Sequence, residues 1–121
     1  MRAPASGAKI KRASYPDIVA IYKGKVIVLE VKRRSELSTI YIDEEQVNKL
    51  RTFCERAGGK GYIAVKIPYK EWVFISIDKL VKINNKYRLD KNEIINGMKL
   101  GEVLSELGIK RGLETYLKSD K

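Results

Sequence analysis

YPDIVAIYKGKVIVLEVKRR, residues 15–34, decides how this chain is read. Two β-branched runs, 17–22 (DIVAIY) and 25–32 (KVIVLEVK), flank a Lys-Gly pair, the pattern of two strands around a tight turn. Ile18, Ala20 and Tyr22 alternate with Val19 and Ile21, and Ile27, Leu29 and Val31 with Val26 and Val28. Strands apolar on both faces belong in a sheet covered on both sides. Three charges interrupt the pattern: Asp17, Glu30 and Lys32. A charge in such a strand is costly unless it is paired or ligates something. With Lys23-Gly24 as a two-residue loop, Tyr22 faces Lys25 and the count runs back to set Asp17 opposite Glu30. Directly opposed Cβ atoms lie about 4.5–5.5 Å apart on one face. Lys32, two residues on, shares that face. A four-residue loop keeps this arrangement, whereas a three-residue loop sets Asp17 opposite Val31 and breaks it.

Two carboxylates so close repel, and one would normally stay protonated. A divalent cation removes the conflict, and two carboxylates with waters and a phosphate oxygen is a common way to hold Mg²⁺. Such an ion polarises a phosphate and acidifies a bound water. A neighbouring lysine can position that water or offset charge growing on the phosphate. The competing reading of Glu30 and Lys32 is a salt bridge at a strand end, which does not explain charges set among Val, Ile and Leu.

The chain has 121 residues, enough for one domain with its own core, and 25 Lys and Arg against 15 Asp and Glu. The resulting net charge of +10 makes a polyanion, nucleic acid first, the expected partner. On charge alone, a basic binding protein without chemistry is the favoured reading. There is no histidine, which removes histidine triads and zinc–histidine sites. Cys54 stands alone, so no internal disulfide forms and a reducing cytoplasm is the expected location. No apolar run reaches membrane-span length, and no signal-peptide pattern opens the chain.

Residues 1–14 read as a flexible basic loop. A helix is expected over 44–57, with Asp43 as N-cap and Gln46 completing a variant capping box. Val47, Leu50, Cys54 and Ala57 form its apolar stripe, and Gly58-Gly59 its stop. Cys54 reads as a small buried side chain, not a nucleophile. Strands are expected at 61–67 and 72–77, then a helical turn, a hairpin about Asn84-Asn85, and an amphipathic helix near 99–107; Leu113, Tyr116 and Leu117 could add a turn. The order strand, strand, helix, strand, strand, helix indicates an α/β or α+β domain on a mixed sheet.

PDIVA at 16–20 followed by LEVK at 29–32 resembles the PD-(D/E)XK core of restriction-endonuclease-like nucleases. RAPASG at 2–7, IYIDEEQ at 40–46, FCERAGG at 53–59 and AVK at 64–66 add a closer resemblance to archaeal Holliday junction resolvases of the Hjc type, covering most of residues 2–83. The resemblance implies an α/β, restriction-endonuclease-like fold: a central mixed β-sheet flanked by helices. It implies one nuclease domain over 1–121, with a catalytic core at 15–83 and a C-terminal hairpin and helical segment at 84–121. It implies Asp17 and Glu30 as metal ligands with the Val31 carbonyl, for Mg²⁺ or else Mn²⁺, and Lys32 as the catalytic lysine. Arg2 and a loop serine, Ser6 or Ser14, would act near the scissile phosphate. Lys9, Lys11, Arg12, Arg33, Arg34 and Lys66 would meet the phosphate backbone. Leu50 and Phe53 on the 44–57 helix would help form a homodimer. The implied partner is branched double-stranded DNA in the cytoplasm, nucleoid-associated, with no membrane and no small-molecule substrate.

Family members place a helix before the first strand, and it supplies a further catalytic glutamate. This chain starts at MRAPASG, so helix and glutamate are expected to be absent, through a misplaced start, truncation or a shortened homologue. An uncovered sheet edge and apolar surface should follow. Two further readings come with this: a catalytically impaired junction-binding protein, and a nuclease of the same fold acting on flaps or ends.

Overall fold

The computed structural model describes residues 16–106 and 108. The opening hairpin is β1 (Ile18–Tyr22) and β2 (Lys25–Arg33), joined through Lys23 and Gly24. Both turn residues have positive φ, 50° and 83°, the backbone a two-residue turn needs to follow the strand twist. Tyr22 pairs with Lys25 and Ile18 with Leu29, so the expected register holds.

A loop leads to β3 (Ile40–Asp43), which passes directly into α1 (Glu44–Ala57). Gly58 closes the helix at φ 67°, and β4 (Gly59–Lys66) returns parallel to β2. β5 (Val73–Ser76) pairs antiparallel with β4, giving a mixed four-stranded sheet of order β1-β2-β4-β5. A single 3₁₀ turn (Ile77–Lys79) precedes β6 (Val81–Ile83) and β7 (Lys86–Leu89), the hairpin expected about Asn84-Asn85. α2 (Lys91–Ile95) and α3 (Leu100–Glu106) follow.

The mixed sheet with flanking helices is the expected fold class, with four differences. β3 was not anticipated. It pairs with β7, so β3-β7-β6 form a second sheet where one was expected. α2 was not anticipated either. The boundary drawn at 83/84 cuts through the β6–β7 hairpin, and the segment after it reaches the core through Leu89 and Ile94. Finally, β1 is not covered on both faces. Among the described residues it lies at the sheet edge, with Ile18, Val19 and Tyr22 exposed and Ile21 69 % exposed. The basic loop at 1–14 and the turn at Leu113, Tyr116 and Leu117 lie outside the described residues.

β4 shows why the rest of the sheet is apolar on both sides. Ile63 and Val65 face α1, packing with Val28, Val47, Leu50, Cys54 and Ile75. Tyr62 and Ala64 face the opposite side with Ile27, Phe74 and Val103, where Leu104 of α3 also packs. The helix stripe is as expected at Val47, Leu50 and Cys54, whereas Ala57 is exposed. Burial raises the Cys54 thiol above its ordinary pKa, as suits a packing residue.

Gly61 has a packing reason. A Cβ there would come within 2.7 Å of Cys54 Sγ and 3.0 Å of Ile77 Cδ1. Gly61→Ala should destabilise the protein by about 1–3 kcal/mol in chemical denaturation, the usual cost of overpacking. In a Cys54→Ala background most of that cost should vanish. Equal costs in both backgrounds would mean that the sulfur contact does not set the requirement.

Candidate active site

On β2 the side chains of Val26, Val28, Glu30 and Lys32 share the face turned toward α1. The first two join the core; the last two extend the row to the carboxyl end of the strand. The register of β1 carries Asp17 to the position opposite Glu30, one residue beyond the ladder's last pair. There the Asp17 Oδ2 accepts a hydrogen bond from the Val31 N–H at 2.8 Å. On β2 the Arg34 N–H bonds the Lys66 carbonyl, so even-numbered backbone groups face β4. The odd-numbered Val31 therefore turns both its N–H and its carbonyl to the Asp17 side. The three groups expected as ligands, the Asp17 and Glu30 carboxylates and the Val31 carbonyl, thus share one strand end, and all offer oxygen, the donor type a hard divalent cation takes. Among the described residues no cluster of three or more Asp, Glu, Cys or His side chains forms a metal site.

Glu30 is 9 % exposed, the one charged residue buried among the described residues. Burial foremost, and Asp17 next, hold its carboxyl above the ordinary pKa; Lys32 and Gln46 act in the opposite sense.

Gln46 is the site residue that the sequence reading misplaced. Asp43 is the N-cap by position, but no side-chain bond caps the helix; the Asp43 carboxylate instead accepts from Lys86 Nζ at 2.7 Å. Gln46, freed from a capping box, points from the first turn of α1 onto the sheet. Its Nε2 donates to Glu30 Oε2 at 2.5 Å, and its Oε1 accepts from Lys32 Nζ at 3.2 Å. One amide thereby holds a carboxylate and an ammonium at once. Its spacing from β2 carries no local signal, because the contact is made only when α1 packs on the sheet.

The basic residues divide. Arg33 and Arg34 are exposed at the carboxyl end of β2. The Arg33 guanidinium lies 5.1 Å from the Trp72 ring centroid, and Arg34 Nη1 donates to the Arg33 carbonyl at 2.7 Å. Lys66, expected on phosphate, instead donates to the carbonyls of Lys70 and Ile67 and ties the β4–β5 turn. The expectation for Leu50 is also corrected: it is 4 % exposed inside the core and presents nothing to a partner. Phe53, partly buried against the core, lines the outer groove of α1 with Glu45, Asn48, Lys49, Thr52 and Arg56. Arg2, Ser6, Lys9, Lys11, Arg12 and Ser14 lie outside the described residues.

An antiparallel hairpin next to a parallel strand, with acid, acid and lysine at the shared strand end and a helix laid across it, defines the restriction-endonuclease-like class of fold. The family model described as archaeal Holliday junction resolvase (Hjc) matches residues 1–111. A protein named crossover junction endodeoxyribonuclease Hjc from Sulfurisphaera tokodaii is 38 % identical over 120 residues, covering 97 % of this chain and 82 % of the relative. The protein of the same name from Archaeoglobus fulgidus is 31 % identical over 98 residues, covering 81 % of this chain and 71 % of that one. The solved structure of Archaeoglobus fulgidus Hjc, described as a Holliday junction resolvase, superposes with a TM-score of 0.68 at 27 % identity, covering 79 % of this chain and 86 % of that one. This chain belongs to the archaeal Holliday junction resolvase (Hjc) family.

The Glu30 shift has a measurable sign. A carboxyl whose folded pKa lies above its ordinary 4.5 binds more protons folded than unfolded between the two values. Stability is therefore greatest below pH 4.5 as far as Glu30 is concerned, and falls as pH rises through the raised value. In chelator, Glu30→Gln should melt higher than the parent at neutral pH, and the gap should close in acid. A variant that melts lower than the parent at neutral pH would contradict this.

Proposed function

We propose that this chain is a divalent-metal-dependent endonuclease that resolves four-way DNA junctions as a single nuclease domain. The observation that carries this reading is the convergence of Asp17, Glu30 and Lys32 on one strand end, beside exposed arginines, in a member of this family. Asp17, Glu30 and the Val31 carbonyl would hold Mg²⁺ or Mn²⁺. When bound, the ion supplies charge on the phosphate and a more acidic water. Lys32 delivers positive charge beside the reacting phosphate, or orients the attacking water, from a place set by Gln46. Gln46 also fixes the Glu30 carboxylate, so both groups stay aimed without reorganisation. Arg33 and Arg34 neutralise backbone phosphates, and binding should weaken steeply as salt rises. By family resemblance, Arg2 and a loop serine, Ser6 or Ser14, would act near the scissile phosphate, and Lys9, Lys11 and Arg12 would meet the phosphate backbone. The protein would work on the nucleoid.

The assay is cleavage of a synthetic four-way junction by the full chain. Cleavage is expected with Mg²⁺ and not with chelator. Asp17→Asn should abolish it, and Gln46→Ala should slow it about 10- to 100-fold, the usual cost of losing a group that orients metal ligands. Both variants should still shift junction DNA in a gel. Cleavage by Asp17→Asn at the parent rate would overturn the metal assignment. Junction binding by the parent without cleavage in either metal would remove the nuclease function.

Resolution needs two opposed nicks, which a two-fold homodimer supplies. The outer face of α1 supports this. Glu44 and Glu45 are acidic in its first turn, and Arg56 is basic in its last. Laid antiparallel on a second copy, it brings Glu45 to the opposing Arg56 at both ends, with Phe53 between. Arg56→Glu should shift light scattering toward monomer, and adding Glu45→Arg should restore the dimer. Unchanged mass for Arg56→Glu would place the dimer contact elsewhere.

A further inference from the structure

Tyr69 is the most exposed large hydrophobic among the described residues, fully open to solvent at the tip of the β4–β5 turn. Its backbone is left-handed, with φ 64°, where a glycine or asparagine is the unstrained choice. The position thus combines two unfavourable features, an aromatic ring in water and a side chain at positive φ. Among the described residues the ring stands against no cation, and the hydroxyl makes no hydrogen bond. Folding therefore gives no reason for a tyrosine here.

The turn around it is held firmly. The Lys70 N–H donates to the Ile67 carbonyl at 3.1 Å, and Lys66 Nζ crosses beneath the tip to the carbonyls of Ile67 and Lys70. The half-buried Lys66 thus fixes the presentation of a ring that packs on nothing. The turn also lies at the end of the sheet that carries the candidate active site. Lys66 pairs with Arg33, the residue after Lys32, so Tyr69 is three residues past that pair. Three residues reach at most about 11 Å, roughly three base steps at 3.4 Å each along one strand. Lys70 and Arg33 flank the turn, and the Arg33–Trp72 stack lies along it.

We propose that Tyr69 is a stacking platform for a nucleobase uncovered at the DNA branch, and that it favours branched over continuous DNA. This rests on the nuclease reading above. In a continuous duplex every base has both faces stacked, so an aromatic tip finds no partner. At a branch the helices are interrupted, and the last base of an arm can offer a free face. Base–aromatic stacking is tolerant of sequence, as recognition by shape requires. The rigid turn lowers the ordering cost on binding.

The test compares Tyr69→Ala, Tyr69→Phe and Tyr69→Gly in the full chain, using a four-way junction and a linear duplex of equal length. One set of junctions carries 2-aminopurine at the branch and another carries it within an arm. Tyr69→Ala should bind the junction about 5- to 150-fold more weakly, the loss of one stacked base, with duplex affinity unchanged. Tyr69→Phe should behave as the parent. The parent and Tyr69→Phe should alter branch 2-aminopurine fluorescence, and Tyr69→Ala should not; the arm probe should stay silent. Tyr69→Gly should lose junction affinity like Tyr69→Ala yet melt higher than Tyr69→Ala, because glycine accepts the left-handed backbone. A junction preference and branch signal equal in the parent and Tyr69→Ala overturn the stacking role alone. A parent that does not prefer the junction to the duplex overturns the junction reading, and the stacking role with it.

Discussion

Two carboxylates held side by side at the mouth of a hairpin set the terms for everything around them. Asp17 is tied to the backbone of Val31, and Glu30 is buried next to it, so neither can swing away from the other. Water, which would screen the pair, is kept from Glu30 by the packing of α1 on β2. The helix also brings the compensation. Gln46 gives Glu30 a donor and Lys32 an acceptor, so the sheet can tolerate charge where its pattern calls for valine. The two apolar layers on either side of β4 keep this polar row in place.

Legibility in the sequence followed the distance over which each feature is determined. The hairpin was readable because a two-residue turn determines its own register, and register determined the face shared by Asp17, Glu30 and Lys32. α1 was readable to the residue because an apolar stripe and Gly58 bound it locally. β3 was not, because its four residues are strand only by pairing with β7, far along the chain. Gln46 failed for a related reason. Read locally it looks like half of a capping box, and only tertiary packing turns it toward β2.

Charge misled in a different way. Net charge suggests a polyanionic partner but does not say which basic residues would face it. The family resemblance set Lys66 on phosphate, yet its ammonium is satisfied by the carbonyls of its own turn. Leu50, which the resemblance set with Phe53 at a dimer face, sits at the centre of the core stripe with Val47 and Cys54, whereas Phe53 lies at the margin of that stripe and is only partly buried. A long side chain has several possible neighbours, and only the fold chooses among them.

The Lys23-Gly24 turn has an evolutionary consequence. Both residues are exposed at the far tip of the hairpin, so substitutions there touch neither core nor chemistry, provided both positions accept a left-handed backbone. Changes of length are another matter. A single inserted codon at this tip would turn Asp17 away from Glu30 at the other end of the strands, whereas two together would leave the pair facing. A loop at the opposite end of the hairpin from the site can therefore vary in side chain more readily than in length, and descendants of this hairpin should differ there by even steps.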